Sequence, residues 1–167
     1  MKTTFLDLSV DQFYDEFLAD NAPLNFHKFS EILNHTDINV KPWKKNQMTV
    51  NCVVPLVNVP FMSKSNFVKQ ISIIKKTSSK IVLEFDMKTL DAPYGDTFSC
   101  KESWIILTTS RKQQRCVFQQ FIKIDFTKSC MFKFRIVPRA EEGMTETNDK
   151  FHSYASKNGH FAKKQNV

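Results

Sequence analysis

The sequence predicts an α+β domain. A curved antiparallel sheet of six to seven strands follows two short helices and precedes one long helix, which lies over an apolar cavity. Three observations predict it. Between residues 36 and 126 apolar side chains recur with a period of two, most cleanly where Ile81, Leu83, Phe85 and Met87 alternate with Glu84, Asp86 and Lys88. That is the pattern of a sheet with one dry and one wet face. On either side of this stretch the period lengthens to that of a helix. Finally, 16 phenylalanines among 41% hydrophobic residues suit either an overfilled core or one whose hole a ligand fills.

The elements follow in order. Val10, Phe13, Tyr14, Phe17 and Leu18 fall at helical spacing, with Ser9 and Gln12 as a capping box. After Asn21-Ala22-Pro23, a second stripe runs through Phe26, Phe29, Ile32 and Leu33. Strands are expected over Thr36–Lys41, ended by Pro42, then over Met48–Leu56, and over Phe67–Lys76 with Phe67, Ile71 and Ile73 on one face. Three more follow: the Ile81–Lys88 run, then Phe98–Thr109 and Arg115–Phe126, joined by the polar turn 110–114. The end is helical, with Phe132, Ile136, Ala140, Gly143, Met144, Thr147, Phe151 and Tyr154 on one stripe. Glu141, Glu142 and Glu146 come early and Lys150 and Lys157 late, which complements the helix dipole. Two starts are open: Pro138 as first helical residue, or a longer helix from near Ser129 that Pro138 kinks. The stripe's continuation through Phe132 favours the longer one. One helix covers only part of a curved sheet's concave face, so the remainder is cavity unless side chains fill it. This is the helix-grip arrangement.

A chain of 167 residues makes one domain. Residues 1–156 are assigned to it, with 157–167 as a flexible basic tail. The net charge of +7 implies an anionic partner, either nucleic acid or a membrane surface. Cys52, Cys100, Cys116 and Cys130 have no close pair to preorganise a tetrahedral metal site, so no metal is expected. They read as buried, reduced thiols of a reducing compartment. No apolar run approaches the roughly 20 residues of a membrane span, and no signal peptide is visible, so the chain is expected to be soluble. No catalytic set is visible either. His27, His35, His152 and His160 lie outside the strands that would carry one, and the expectation is not an enzyme.

Four segments occur in a fixed order: Asp37-Ile38, Pro42-Trp43, Val54-Pro55-Leu56 and Pro93-Tyr94-Gly95-Asp96-Thr97-Phe98. Together they resemble the VASt domain, a StART-like (StAR-related) lipid-transfer module of the yeast Lam/Ltc and animal Aster sterol transporters. The resemblance covers about residues 5–156, and length and charge look most like a fungal member. It implies a seven-stranded helix-grip fold and non-vesicular sterol transfer between the endoplasmic reticulum and another membrane, chiefly the plasma membrane. The cargo would be a sterol (ergosterol or cholesterol), with no cofactor. The implied partners are anionic membrane surfaces, met peripherally and transiently, with no nucleic acid and a monomeric domain. The implied location is the cytosolic face of an ER-anchored protein at membrane contact sites. The GRAM domain and anchor that usually accompany the family are not in this chain, which would be the transfer domain alone. An Ω-loop between the family's second and third strands gates the pocket, here about Val57–Ser65. Lys64 matches the lid lysine, whereas Phe61-Met62-Ser63 is bulkier than the family's usual small residues and proline.

A sterol is a rigid apolar plate with one hydroxyl, so its carrier needs an apolar slot and one or two hydrogen-bond partners. At about 0.3 kcal/mol for each of roughly 28 heavy atoms, affinity comes to about 8 kcal/mol, near micromolar, which permits release. Strand alternation offers Leu83, Phe85, Met87, Trp104, Ile106, Phe118 and Ile122, and the last helix offers Met144, Phe151 and Tyr154; plain core packing accounts for any one of them equally well. Gln120 is the polar candidate for the hydroxyl, unless the face is off by one residue and Gln119 points inward. Pro60, Phe61, Met62 and Lys64 are lid and membrane contacts, against a loop tip folded on its own core. Asp91, Pro93, Tyr94, Gly95 and Asp96 form a structural turn in which both aspartates accept backbone N–H bonds and Gly95 takes a backbone angle others resist. Three other functions were weighed: a sterol sensor or binder of another lipid without transfer, an enzyme on the same scaffold, and a nucleic-acid binder. The last is disfavoured because most aromatics fall on inward faces, away from the lysines.

Overall fold

The computed structural model describes residues 1–57, 59, 61–110, 112 and 114–159. The chain forms β1 (Lys2–Leu6), α1 (Val10–Phe13) running into a π-helical turn (Tyr14–Leu18), α2 (Phe26–Ile32) and β2 (Thr36–Lys44). It continues with β3 (Gln47–Pro55), β4 (Lys64–Thr77), β5 (Lys80–Thr89), β6 (Phe98–Ser110), β7 (Arg115–Phe126) and α3 (Lys133–Asn158). All seven strands make one antiparallel sheet in the order β1-β7-β6-β5-β4-β3-β2. The predicted α+β helix-grip architecture is what the chain adopts.

Because β1 and β2 are opposite edges, the helices between them must cross the whole sheet. They cross its apolar face. Phe13 lies 5.3 Å from Phe118, and Phe26 lies 5.9 Å from Trp104. The capping box at Ser9 forms as expected: the Gln12 backbone N–H donates to Ser9 Oγ at 3.1 Å and the Ser9 N–H to Gln12 Oε1 at 2.8 Å. The π-turn was not foreseen. Ala19 N–H bonds back to Tyr14 O at 2.9 Å, and the wider turn lets the consecutive residues Glu16, Phe17 and Leu18 all be buried. Trp43 secures this layer to the β2 edge, its indole donating to Leu18 O at 2.6 Å and its backbone N–H to Asp20 Oδ1 at 2.9 Å.

The differences from expectation have local causes. The seventh strand, β1, escaped notice because it is short and only Leu6 of it is buried. β2 continues through Pro42 to Lys44, since an edge strand can carry a residue without an N–H. α3 begins at Lys133, four residues after Ser129, so the longer of the two helices is the one that forms. Pro138 sits inside it without a donor for the Phe134 carbonyl, and the first turn contains no acidic residue. Only the second half of the predicted stripe is buried, at Met144, Phe151 and Tyr154, together with Asn148 and His152. α3 also continues two residues past the expected boundary at 156.

The turn after β5 corrects two expectations. Tyr94, not Gly95, holds the left-handed angle, at φ 64°. Gly95 is needed for space, because a Cβ there would lie 2.1 Å from the Thr89 carbonyl oxygen. Asp91 does not close the turn itself. It reaches to β4, accepting from the Asn66 N–H at 2.8 Å and from Asn66 Nδ2 at 2.9 Å. Asp96 pairs with Lys128, and that lysine holds its carboxyl below the usual range. Pro93 and Tyr94 are exposed, and Tyr94 stacks 5.0 Å from Phe132.

The two structural glycines predict opposite outcomes. Gly95→Ala should lower stability by about 2 kcal/mol or more through overpacking against backbone. At Gly143 a Cβ meets nothing within 4 Å, so Gly143→Ala should raise stability by about 1 kcal/mol. Urea unfolding midpoints of the two variants check this. In the same assay Trp43→Phe should cost about 1–3 kcal/mol, because it strips the half-buried Leu18 carbonyl of its donor.

Candidate functional site: a polar belt across the concave face

The side chains of the concave face follow from the register. Ile71 pairs with Phe85 and Leu83 with Trp104, while Ile106 pairs with Phe118 and Trp104 with Gln120. Leu83, Phe85, Met87, Trp104, Ile106 and Phe118 are therefore on one face, and all are buried. Phe151 of α3 completes the cluster, 4.4 Å from Trp104 and 5.6 Å from Phe118. Tyr154 lies 5.6 Å from Phe29, and Met144 is buried about two turns before Phe151 on α3. Ile122 shares the face but is only half buried.

The filling is uneven along the strands. Toward the β2–β3, β4–β5 and β6–β7 hairpins, aromatic rings from the crossing helices and from α3 occupy the cup. Toward the opposite end, where the 56–63 loop lies, Phe67, Cys100, Ile122 and Ile124 are only half buried.

Between these two halves runs a polar belt. Gln120, 1% exposed, faces inward, and its Nε2 donates to Glu102 Oε1 at 3.0 Å. This settles the choice between Gln119 and Gln120 in favour of Gln120. Its Oε1 is buried and has no partner among the described residues. Glu102, 5% exposed, has its carboxyl pushed up by burial, against the pull of Lys69, the Trp104 indole and the Asn148 amide. Trp104 Nε1 nevertheless makes no hydrogen bond of ordinary geometry among the described residues. Lys69, on β4, has its ammonium pushed down by burial, with Glu102 and Cys52 acting the other way. Its Nζ lies 5.8 Å over the rings of Phe26 and Phe85. No ion pair within 4 Å joins Lys69 to Glu102 among the described residues, so the two charges attract one another across a gap.

Lys69 and Glu102 were missed in the sequence, although the signal was there. Lys69 is in phase with Phe67 and Ile71, and Glu102 with Cys100 and Trp104. A charge on the apolar phase of a strand marks a buried ionisable group. The polar content expected of the concave face, Gln120 and Tyr154, was therefore too small.

Cavities among the described residues adjoin this face. One of about 290 Å³ is lined by Phe17, Leu18, Asp20, Phe26, Pro42 and Met48 among others, at the end away from the loop. The second, about 10 Å³, lies beside Lys69, Cys52, His35 and Phe67. Neither is lined by the eleven residues expected to hold cargo.

The loop between β3 and β4 is held at its base by Leu56 N–H to Ser63 O, 2.8 Å. At its tip Phe61 is 107% exposed with φ 62°, and Met62 is half buried. Lys64 is exposed and pairs with Pro55 as the strands begin. Pro60 lies outside the described residues.

Comparison with known proteins now bears on this geometry. A sequence model of the VASt domain, the VAD1 analog of StAR-related lipid transfer domain, matches residues 1–143. The chain belongs to the VASt family. The match starts ahead of the expected residue 5 and ends inside α3, before Asn148, Phe151 and Tyr154. It makes this a lipid-binding domain of StART-like type. The solved structure of a conserved protein from Geobacillus kaustophilus aligns with TM-score 0.52 over 93% of both chains at 9% identity, a likeness of fold alone. Curated protein sequences give no match. No helix of the described residues is long and apolar enough to cross a membrane.

The VASt domain buries further titratable groups. His152 stacks on Phe118 at 4.6 Å, with Nδ1 2.6 Å from Thr4 Oγ1. His35 Nδ1 lies 3.5 Å from Cys52 Sγ. Burial lowers both imidazoles to about 4, with Lys69 adding to the effect at His35 and Lys2 at His152. Burial raises the Cys100 thiol to about 11 and the Cys116 thiol to about 12, which makes both poor nucleophiles.

These imidazoles predict the pH dependence of stability. Below about pH 6.5 the unfolded chain binds protons that the folded histidines refuse until about pH 4. Stability should therefore fall as pH drops across that window, by at most about 1.4 kcal/mol per pH unit for each histidine. Glu102 opposes the trend: with a raised folded pKa, it gains protons in the folded state first as pH falls. Urea unfolding at pH 7, 6 and 5 checks the sign, and His35→Gln with His152→Gln should flatten the profile.

Proposed function

We propose that this VASt domain binds a sterol, of the ergosterol or cholesterol class, in the loop-side half of its concave face and carries it between membranes. The single observation behind this reading is the polar belt. An apolar cup that ends in a buried Gln120 oxygen without a partner, beside Glu102 and Lys69, suits a long apolar molecule with one hydroxyl at its inner end. The hydroxyl would donate to Gln120 Oε1 and accept from Lys69, and the ring system would lie against Met87, Ile122 and Met144. Trp104, Phe118 and Phe151 would form the floor, with Leu83, Phe85, Ile106 and Tyr154 packed behind it. Val57–Ser65 would act as the Ω-loop lid: an exposed phenylalanine at its tip suits insertion at a bilayer surface, with Lys64 placed for a lipid phosphate. In this reading the domain is residues 1–156 with a basic tail from 157. It works as a monomer without a cofactor on the cytosolic side of ER contact sites, visiting anionic membranes transiently. Glu102 and Lys69 bind cargo rather than turn it over.

A fluorescent sterol moved between liposomes tests this. Purified protein should accelerate transfer, more so when the liposomes are anionic, and salt should reduce the gain. Gln120→Leu should weaken sterol binding roughly tenfold, the worth of one buried hydrogen bond. A protein that neither extracts sterol nor speeds its exchange would sink the proposal. Extraction without exchange would make it a sensor, and a phospholipid mass in native mass spectrometry would change the cargo.

A further inference from the structure

We propose that the hairpin end of the sheet, opposite the loop, is a second membrane-docking surface that takes the anionic face of a lipid bilayer. The β3–β4 ladder ends at Gln47–Ser72, whereas the β4–β5 ladder continues to Thr77–Lys80. On the β3 side, residues 73–80 therefore project as a ribbon. Lys75, Lys76 and Lys80 line it, and Lys44 and Lys45 join them from the β2–β3 turn, which Ile73 N–H anchors through Asn46 O at 2.9 Å. Lys44, Lys45, Lys75 and Lys80 have no acidic group within 4 Å among the described residues, while Lys2, Lys101, Arg115, Lys123, Lys128 and Lys150 all do. Lys76 lies over the Tyr14 ring at 3.1 Å. The acids around this end, Asp15, Asp20 and Glu84, make no ion pair within 4 Å with these lysines among the described residues, and Asp20 accepts from the Trp43 backbone N–H beside Lys44.

The apolar component decides between a bilayer and a nucleic acid. A break in register between Ile73 and Lys75 turns Ile74 outward, 56% exposed among the lysines. A branched aliphatic group ringed by flexible cations suits the boundary between headgroups and acyl chains. A single-stranded nucleic acid asks for a row of open aromatic faces beside the cations; among the described residues Tyr14 is covered by Lys76, Trp43 is half buried with its indole tied to Leu18 O, and the exposed Phe5 stands on the far edge strand β1. The surface is also independent of the lid. Strand β4 has 14 residues, so its two ends are separated by roughly 43 Å at about 3.3 Å per residue, several Debye lengths at physiological salt.

Flotation of the full chain with phosphatidylcholine vesicles, with and without phosphatidylserine, tests the proposal without any sterol. Binding to the serine-containing vesicles should persist when the lid is blunted by Phe61→Ser and Lys64→Ser. Adding Lys75→Glu and Lys80→Glu should then lower it at least tenfold, given roughly fivefold per lysine. Ile74→Ser should weaken it severalfold at unchanged charge. Circular dichroism melting controls for folding, with Lys75→Gln and Lys80→Gln as the milder pair. Vesicle binding within twofold of the parent after the charge reversals would overturn the proposal. So would tighter binding of a single-stranded oligonucleotide than of vesicles, which would make the surface a nucleic-acid site.

Discussion

The fold depends on Trp104 being covered. It sits on β6 near the middle of the sheet, and rings from three directions close on it: Phe85 at 4.6 Å and Phe118 at 5.0 Å from neighbouring strands, Phe26 from the crossing helices, and Phe151 from α3 at 4.4 Å. A curved sheet cannot leave so large a residue wet, and no single helix is wide enough to cover the face. The edge-to-edge route of the N-terminal helices and the placement of α3 are two halves of one cover that meets over this indole. Aromatic pairs of this geometry each add about 0.5–1.5 kcal/mol beyond the area they bury.

That cover also explains where polar groups can survive. Glu102, Gln120 and Lys69 lie just beyond its rim, where packing gives way to half-buried apolar side chains. In a fully packed core an uncompensated carboxyl and ammonium would be a severe liability. At the rim they are held apart, partly satisfied, with hydrogen-bonding capacity left over. Such a belt is short of hydrogen-bond partners among the described residues at the Gln120 oxygen and the Trp104 indole.

Much of this was legible beforehand. The alternation Ile81-Leu83-Phe85-Met87 placed β5 on the correct face, and Ser9 with Gln12 located the first helix start. The features that were missed involve non-local partners. β1 is recognisable only beside β7, and the π-turn only once Glu16, Phe17 and Leu18 must all be buried. Pro42 ends a strand by local rules, yet an edge position removes the objection. The belt is half legible: Gln120 stands out as an amide among apolar neighbours, while local rules assign charges such as Lys69 and Glu102 to the wet face. Which half of the cup is filled depends on rings supplied from distant segments, and no local pattern specifies that.

The β1–β7 pairing has a consequence for how the chain comes together. Lys2 lies opposite Gln120 and Leu6 opposite Cys116, Thr4 meets His152, and Lys2 reaches Asp149. The strand β1 is thus made before nearly all of the chain that supplies its partners. Until the two strands pair, β7 has an unpaired edge, and the crossing helices have a sheet anchored on one side only. Loop closure over such a span is slow, and an open edge beside a phenylalanine-rich surface invites association with other chains. The meander from β2 to β7 is built of successive antiparallel neighbours, whereas β1 and α3 close the fold through contacts between its two ends, the long-range kind that forms slowly.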